Sequence, residues 1–261
     1  MHVSRLGVAL LKGATHPSLP ALRLDPDGPE GDRLLCALDA DRRTVLRTVA
    51  HPRLLTVRAS LRDDDLGLAG GWDLRTPDGV ASGPVELDGT AADVDYWGRR
   101  VTVQPLAASA HSALLSAHLG RTVTLAVAPR GGIVYGASVS VVTRATVRAL
   151  ARAAGLVEPE EATAARLRST FVLDDTDRSE PFTEDAWAGR ELALGEARIR
   201  VREPIVRCRV IDHDPASGDP APAGRGLLRA LATLRERPHA GVDADVTRPG
   251  LVTPGDAARW T

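Results

Sequence analysis

The stretch Ala197-Arg-Ile-Arg-Val-Arg-Glu-Pro-Ile-Val-Arg-Cys-Arg-Val-Ile-Asp-His-Asp-Pro215 decides the fold class of this chain. From Ala197 to Arg202 apolar side chains alternate with arginine, the period of two that a half-solvated β-strand requires. A second apolar run over 206–211 follows Pro204 and carries Cys208 between Arg207 and Arg209. Further β-type runs stand at 34–38, 54–57, 101–103, 123–127, 133–135, 139–142 and 171–173, separated by Gly, Pro and Asp turns. Helical patterns are fewer. Thr143 is placed to cap a helix over 144–154, with Gly155 at its stop. Leu227, Leu228, Leu231 and Leu234 form the stripe of a helix over 225–235, ended by Pro238. Thr183-Glu-Asp-Ala-Trp187 reads as a capped single turn, and Glu184 and Asp185 as residues that serve its start. The stretches 62–90 and 214–226, rich in Gly, Pro and Asp, are expected to be loops, the first with an edge hairpin as the alternative. Irregular strands with few crossover helices predict a mainly β fold with some α, of barrel type rather than a doubly wound sheet.

Composition bounds the function. At 261 residues the chain can bury one large core or two small ones. A formal net charge of −1 gives no global field toward nucleic acid or an anionic membrane. Aromatic residues make up 3%, too few for the stacking platform of a single-strand binder. The start Met-His-Val-Ser-Arg-Leu6 lacks the pattern of a signal peptide, and no apolar run reaches membrane-spanning length. The two cysteines, Cys36 and Cys208, fit a reducing compartment. A cytoplasmic protein with no nucleic-acid or membrane partner is therefore expected.

Few motifs carry chemistry. There is no G-x-G-x-x-G, no Walker lysine pattern and no H-E-x-x-H. His111 and His118 are seven apart without partner cysteines or carboxylates, which argues against zinc. Ser109 to Ser112 makes no nucleophile elbow, and Arg130-Gly-Gly reads as a plain turn. Cys208 has two readings. A thiolate beside cations is a soft metal ligand, whereas an isolated cysteine in an apolar run is more often a packed thiol. Lys12 is the only lysine in the chain.

An ordered set of residues resembles one family. It comprises Arg166-Leu-Arg168, Phe171-Val-Leu-Asp174, Pro181-Phe-Thr-Glu-Asp-Ala-Trp187, Gly195 and Arg207-Cys208. Asp214-Pro-Ala-Ser-Gly218, Leu227-Leu228, Gly241-Val-Asp-Ala-Asp-Val246, Pro249-Gly250 and Gly255-Asp256 continue it. In order and spacing this half resembles the MOSC domain, named for the C-terminal region of molybdenum cofactor sulfurases. Lys12-Gly13, Gly31-Asp-Arg33, Asp39, His51-Pro-Arg-Leu54, Tyr96-Trp-Gly98, Leu119-Gly-Arg121 and Val141-Val-Thr143 resemble the β-barrel domain that precedes MOSC in many members. The branch that includes the mitochondrial amidoxime-reducing component and its bacterial relatives is the most similar.

The resemblance implies a smaller β-barrel-like domain over 1–108 and a MOSC-type β-barrel over 109–261. It implies a molybdenum cofactor (molybdopterin) with Cys208 as metal ligand and catalytic centre. Lys12, Arg33, Arg168, Thr170 and Arg207 would contact that anionic group, guanidinium by bidentate hydrogen bonding and lysine as a compact charge. The activity implied is reduction of small N-hydroxylated compounds, with electrons from a separate ferredoxin or flavoprotein-like partner. A carrier of the cofactor or of sulfur on Cys208, and a repurposed MOSC fold without metal, are the alternatives. The chain departs from the branch pattern at Arg168-Ser169-Thr170, where Arg-Pro-Asn is usual, and at Gly13, where Ser is usual. Val206 replaces a small polar residue, and Val49 stands in register with a usual arginine, with Arg47 displaced.

Overall fold

The computed structural model describes residues 1–39, 41–63, 67–158, 160–175, 180–222 and 225–261. Strand β1 (His2–Leu6) opens the chain, followed by β2 (Leu22–Asp25), β3 (Gly28–Pro29), β4 (Leu35–Asp39) and β5 (Thr44–Val45). β6 (Arg58–Leu61), β7 (Trp72–Thr76) and β8 (Gly79–Gly83) form an antiparallel sheet of their own. β9 (Ala92–Tyr96) and β10 (Arg99–Pro105) make a hairpin, and helix α1 (Ala110–Leu119) leads into β11 (Thr124–Val127). From β12 (Val139–Thr143), helices α2 (Arg144–Ala154) and α3 (Glu160–Leu167) cross over to β13 (Phe171–Asp174), which runs parallel to β12. β14 (Glu191–Leu194), β15 (Ala197–Val206), helix α4 (Leu227–Leu234) and β16 (His239–Arg248) follow. β17 (Gly250–Val252) and β18 (Ala258–Trp260) complete the chain.

Two barrel-shaped sheets result, as the strand pattern led us to expect. Strands β10, β11, β4, β5 and β9 close into a small barrel around Cys36, Val94, Tyr96, Val103 and Ala126. The larger sheet has seven strands in the order β1-β13-β12-β16-β15-β14-β18. Its edges meet where His2 bridges Ala257 and the Val3 N–H donates to Asp256 O at 2.9 Å. Near-closure leaves little unpaired edge for another chain to extend. Val3, Leu6, Val141, Phe171, Ile199 and Val242 fill its interior. The sheets interleave along the chain, since β1 sits among C-terminal strands and β11 among N-terminal ones.

The helix α2 ends as its sequence dictates. Thr143 Oγ accepts from the Thr146 N–H at 3.2 Å, and Gly155 takes the left-handed conformation (φ 63°) that glycine adopts without strain. Thr183–Trp187 is a single 3-10 turn, but its N-cap is Phe182 and no side chain caps it. Glu184 in that turn is buried and accepts from the Thr143 and Thr146 hydroxyls at 2.9 and 3.1 Å.

Three sequence-predicted strands take other forms. Of residues 54–57, the first three fall in the 3-10 helix Pro52–Thr56, whose proline at the start favours a helical entry, and Val57 is its extended C-cap. Residues 133–135 follow a turn in which the Gly132 N–H donates to Pro129 O at 2.9 Å. The run 206–211 breaks because β15 stops at Val206 and a 3-10 turn, Arg209–Asp212, begins after Cys208. Conversely, 62–90 holds the β7–β8 hairpin, pinned by buried Trp72 and Leu74, rather than a plain loop; 64–66 lie outside the described residues. The soft stretch 214–226 carries no strand or helix among its described residues, of which 223–224 are not part. Helix α1 was invisible to hydrophobic spacing because its buried positions are His111, Leu115 and His118. Ser109 proves to be its cap, in a reciprocal capping box with Ser112.

Candidate functional site

The loops around β4 bring in the first two basic residues. The Lys12 N–H donates to Leu35 O and the Arg33 N–H to Ala9 O, each at 2.7 Å. Arg168 follows the last residue of α3 and donates from Nη1 to Ala14 O at 2.7 Å. Thr170 and Ser140 tie β13 to β12 reciprocally: each backbone N–H donates to the other's hydroxyl oxygen at 3.1 Å. Arg207 and Cys208 stand where β15 ends.

These parts meet. Lys12, Arg33, Arg168, Thr170, Arg207 and Cys208 all line one cavity of about 260 Å³, with walls from both the small barrel and the seven-stranded sheet. Cys208 is exposed, so the reading of a packed thiol fits buried Cys36 and not Cys208. The same cavity is lined by Arg47, Tyr96, Trp97, Tyr135 and Asp243. Tyr135 and Asp243 were not singled out by sequence. Asp243 lies within the Gly241-Val-Asp-Ala-Asp-Val246 match, a signal that went unused.

Backbone strain concentrates here. Five non-glycine residues adopt positive φ among the described residues, and three of them, Arg33 (50°), Trp97 (56°) and Arg168 (54°), line this cavity. Left-handed backbone costs an L-residue about 1–2 kcal/mol and persists where the surroundings over-determine it, commonly at functional sites. Gly13 has φ +88°, and a Cβ there would stand 2.6 Å from Thr48 Oγ1. Glycine rather than serine is therefore what this backbone accepts.

Among the described residues six cations line the cavity: Arg47 lies over the Trp97 ring, Arg166 pairs with Glu158, and Lys12, Arg33, Arg168 and Arg207 play different parts. Arg207 commits three of its five donors to the fold, from Nε to Ala240 O and from Nη1 to Leu167 O, both at 2.7 Å, and from Nη2 to Ser169 Oγ at 3.2 Å. Gly241 (φ +71°) lets it pass, because a Cβ there would stand 3.0 Å from Nη2. Arg33 pairs with Asp32 through one nitrogen. Lys12 makes no ion pair among the described residues, although the Asp32 carboxylate attracts it; its Nζ lies 5.1 Å from the centre of the Tyr96 ring. Burial, then the charges of Arg33 and Arg168, hold the Lys12 amine well below the usual lysine range. Burial and Arg33 push Arg168 down to about 10, and burial pushes Arg207 to about 10. Burial also raises the Asp243 carboxyl above its usual range. Against the six cations stand Asp243 in the lining, Asp32 paired with Arg33 and Glu158 paired with Arg166, so the cavity carries surplus positive charge and suits a phosphate-bearing ligand.

Donor chemistry narrows the rest. No group of three or more His, Cys, Asp or Glu able to hold a metal occurs among the described residues. Cys208 offers a single soft ligand, which suits a metal that arrives with most of its ligands already in place. Asp212 does not face this chemistry: its Oδ1 accepts the Leu228 N–H at 2.8 Å and caps α4. His213 Nδ1 lies 3.0 Å from Gly218 O, and the Arg130 guanidinium is spent on Pro29 O, Gly28 O and Asp25.

A family model, the MOSC domain, matches residues 115–259, more than half of the chain. This chain belongs to the MOSC domain family. Among solved structures it is similar to the YUAD protein from Bacillus subtilis, at 13% identity and a TM-score of 0.45 over 97% of this chain and 91% of that one. YiiM from Geobacillus stearothermophilus is 16% identical, with a TM-score of 0.35 over 48% of this chain and 54% of that one. YiiM from Escherichia coli is 17% identical, with a TM-score of 0.33 over 48% and 54%. No curated protein matches. No helix of the described residues is long and apolar enough to cross a membrane.

The buried lysine makes a testable trade of stability against binding. Lys12→Met keeps the bulk, removes a buried like charge and is expected to stabilise the ligand-free protein by about 1 kcal/mol. Because the folded-state amine is depressed, its penalty is full below that lowered value and fades as pH rises toward the ordinary 10.5. Urea unfolding should therefore show the variant's advantage at neutral pH and a shrinking one in alkali. Calorimetric titration with inorganic phosphate should show weaker binding to the variant than to wild type.

Proposed function

We propose that this cavity holds a phosphate-bearing molybdenum cofactor and that the protein is an oxidoreductase acting on small N-hydroxylated compounds. The observation that carries this is the convergence of one exposed thiol with Lys12, Arg33 and Arg168 on a single cavity. Cys208 Sγ would ligate the metal. Lys12 Nζ and the guanidinium groups of Arg33 and Arg168 would hold the anionic end of the cofactor. Arg207 keeps the chain at 167–169 and 240 in place behind them. When bound, such a group supplies two-electron oxygen-transfer chemistry. Burial and two neighbouring arginines hold the Lys12 amine below its ordinary range, and a bound anion would draw it back upward.

Electrons would come from a separate ferredoxin or flavoprotein-like donor, because two cysteines, one of them buried, do not hold an iron–sulfur cluster. The exposure of Cys208 also favours a second reading, a carrier that holds the cofactor or a persulfide sulfur there. Steady-state reduction of an amidoxime by cofactor-loaded protein with a chemical reductant separates the two. Turnover to the amidine supports the enzyme; a stably loaded protein that releases cofactor or sulfur without turnover supports the carrier.

A further inference from the structure

Eight large apolar side chains are exposed among the described residues, and four of them, Val49, Trp97, Tyr135 and Val206, line the cavity that contains Cys208. Scattered exposed apolar residues are ordinary, but this clustering is not. Trp97 is the clearest case. It occupies the two-residue turn between β9 and β10 with φ 56°, followed by Gly98 at φ 77°. Such turns favour Asn or Asp before Gly, since left-handed backbone disfavours a bulky side chain. Burial does not compensate, because Trp97 is 47% exposed. Its ring is nevertheless held: the Arg47 guanidinium lies 4.6 Å from its centre, and Tyr135, 68% exposed, meets it edge-on with centroids 5.7 Å apart. The floor beneath is cationic and more buried, with the Arg33 side chain at 18% exposure.

The cavity therefore separates into an anion-holding floor and an aromatic rim. We propose that Trp97 and Tyr135 form a recognition slot that selects substrates whose reactive group is attached to a flat aromatic or conjugated system. This rests on the oxidoreductase reading above for the identity of the reactive group, though not for the flat group. Aromatic rings prefer edge-on or offset partners at this spacing, and an exposed ring fixed in place gains that contact at little ordering cost.

Trp97→Asn tests it, because asparagine suits the turn and removes the ring; Tyr135→Ala is the companion. Kinetics are compared for an aromatic amidoxime and an aliphatic amidoxime of similar size, with calorimetric binding of the aromatic compound and molybdenum content measured on each protein. For the aromatic substrate KM is expected to rise about 3- to 10-fold. Its kcat, the aliphatic KM and the metal content should stay at wild-type values. Equal losses on both substrates, or a fall confined to kcat, would overturn the slot. If wild type reduces neither compound, the direct binding decides: affinity that depends on Trp97 keeps the slot while the N-hydroxyl reading falls, and unchanged affinity in the variant sinks the slot itself.

Discussion

Arg207→Ala is expected to lower the unfolding free energy by about 3 kcal/mol, the combined cost of leaving several partly buried acceptors without a charged donor. The guanidinium satisfies Leu167 O and Ser169 Oγ on one segment and Ala240 O on another, so its loss unties the two together. Arg207→Lys, with one compact ammonium in place of a rigid fork, should recover only part of the loss. Urea denaturation with an unchanged slope would measure it. A loss under about 0.5 kcal/mol would make Arg207 an ordinary surface charge. The same substitution should weaken anion binding indirectly, because Leu167 and Ser169 flank Arg168 and fix where its guanidinium points.

Cys208→Ala separates chemistry from fold in the opposite sense. Cys208 is exposed, and no side-chain hydrogen bond caps the turn that follows it, so the change should leave stability within about 0.5 kcal/mol of wild type. Amidoxime reduction, by contrast, should fall at least about 100-fold, beyond what loss of outer contacts alone costs a metal site. Cys208→Ser should fall as far, since a neutral hydroxyl does not replace a soft thiolate. Cys36→Ala is the matched control: its thiol is buried in the small barrel, where burial pushes it up to about 12, and it should cost stability rather than chemistry. Turnover surviving in Cys208→Ala would move the reactive centre away from this thiol.

The sequence carried the fold where periodicity and punctuation agree. The alternating Ala197-Arg-Ile-Arg-Val stretch is the start of β15, and Thr143 with Gly155 bounds α2 as expected. It misled where tertiary contacts override local pattern. The apolar run over 206–211 looked continuous, yet the chain turns at Cys208 because Arg207 is tied to the strands and helix end around it. Helix α1 hid because its buried face is built from histidines: His111 stacks on Trp72 at 4.2 Å, and His118 bonds Asp78 at 2.9 Å. For the site, the resemblance brought forward Lys12, Arg33, Arg168, Thr170, Arg207 and Cys208, and all six line one cavity. Their division of labour was not legible, since it depends on which donors the backbone consumes. The rim was half legible. Tyr96-Trp-Gly98 stood out as a motif, but the partnership of Trp97 with Tyr135 crosses 38 positions and exists only in the fold.

The most direct measurement is molybdenum content per chain, by elemental mass spectrometry, on wild type and Cys208→Ala purified from a host that makes the cofactor. About one metal per chain in wild type and none in the variant is the expected result, as a single thiolate ligand requires. No metal in wild type, or equal metal in both proteins, would contradict Cys208 as the ligand and with it the proposed chemistry.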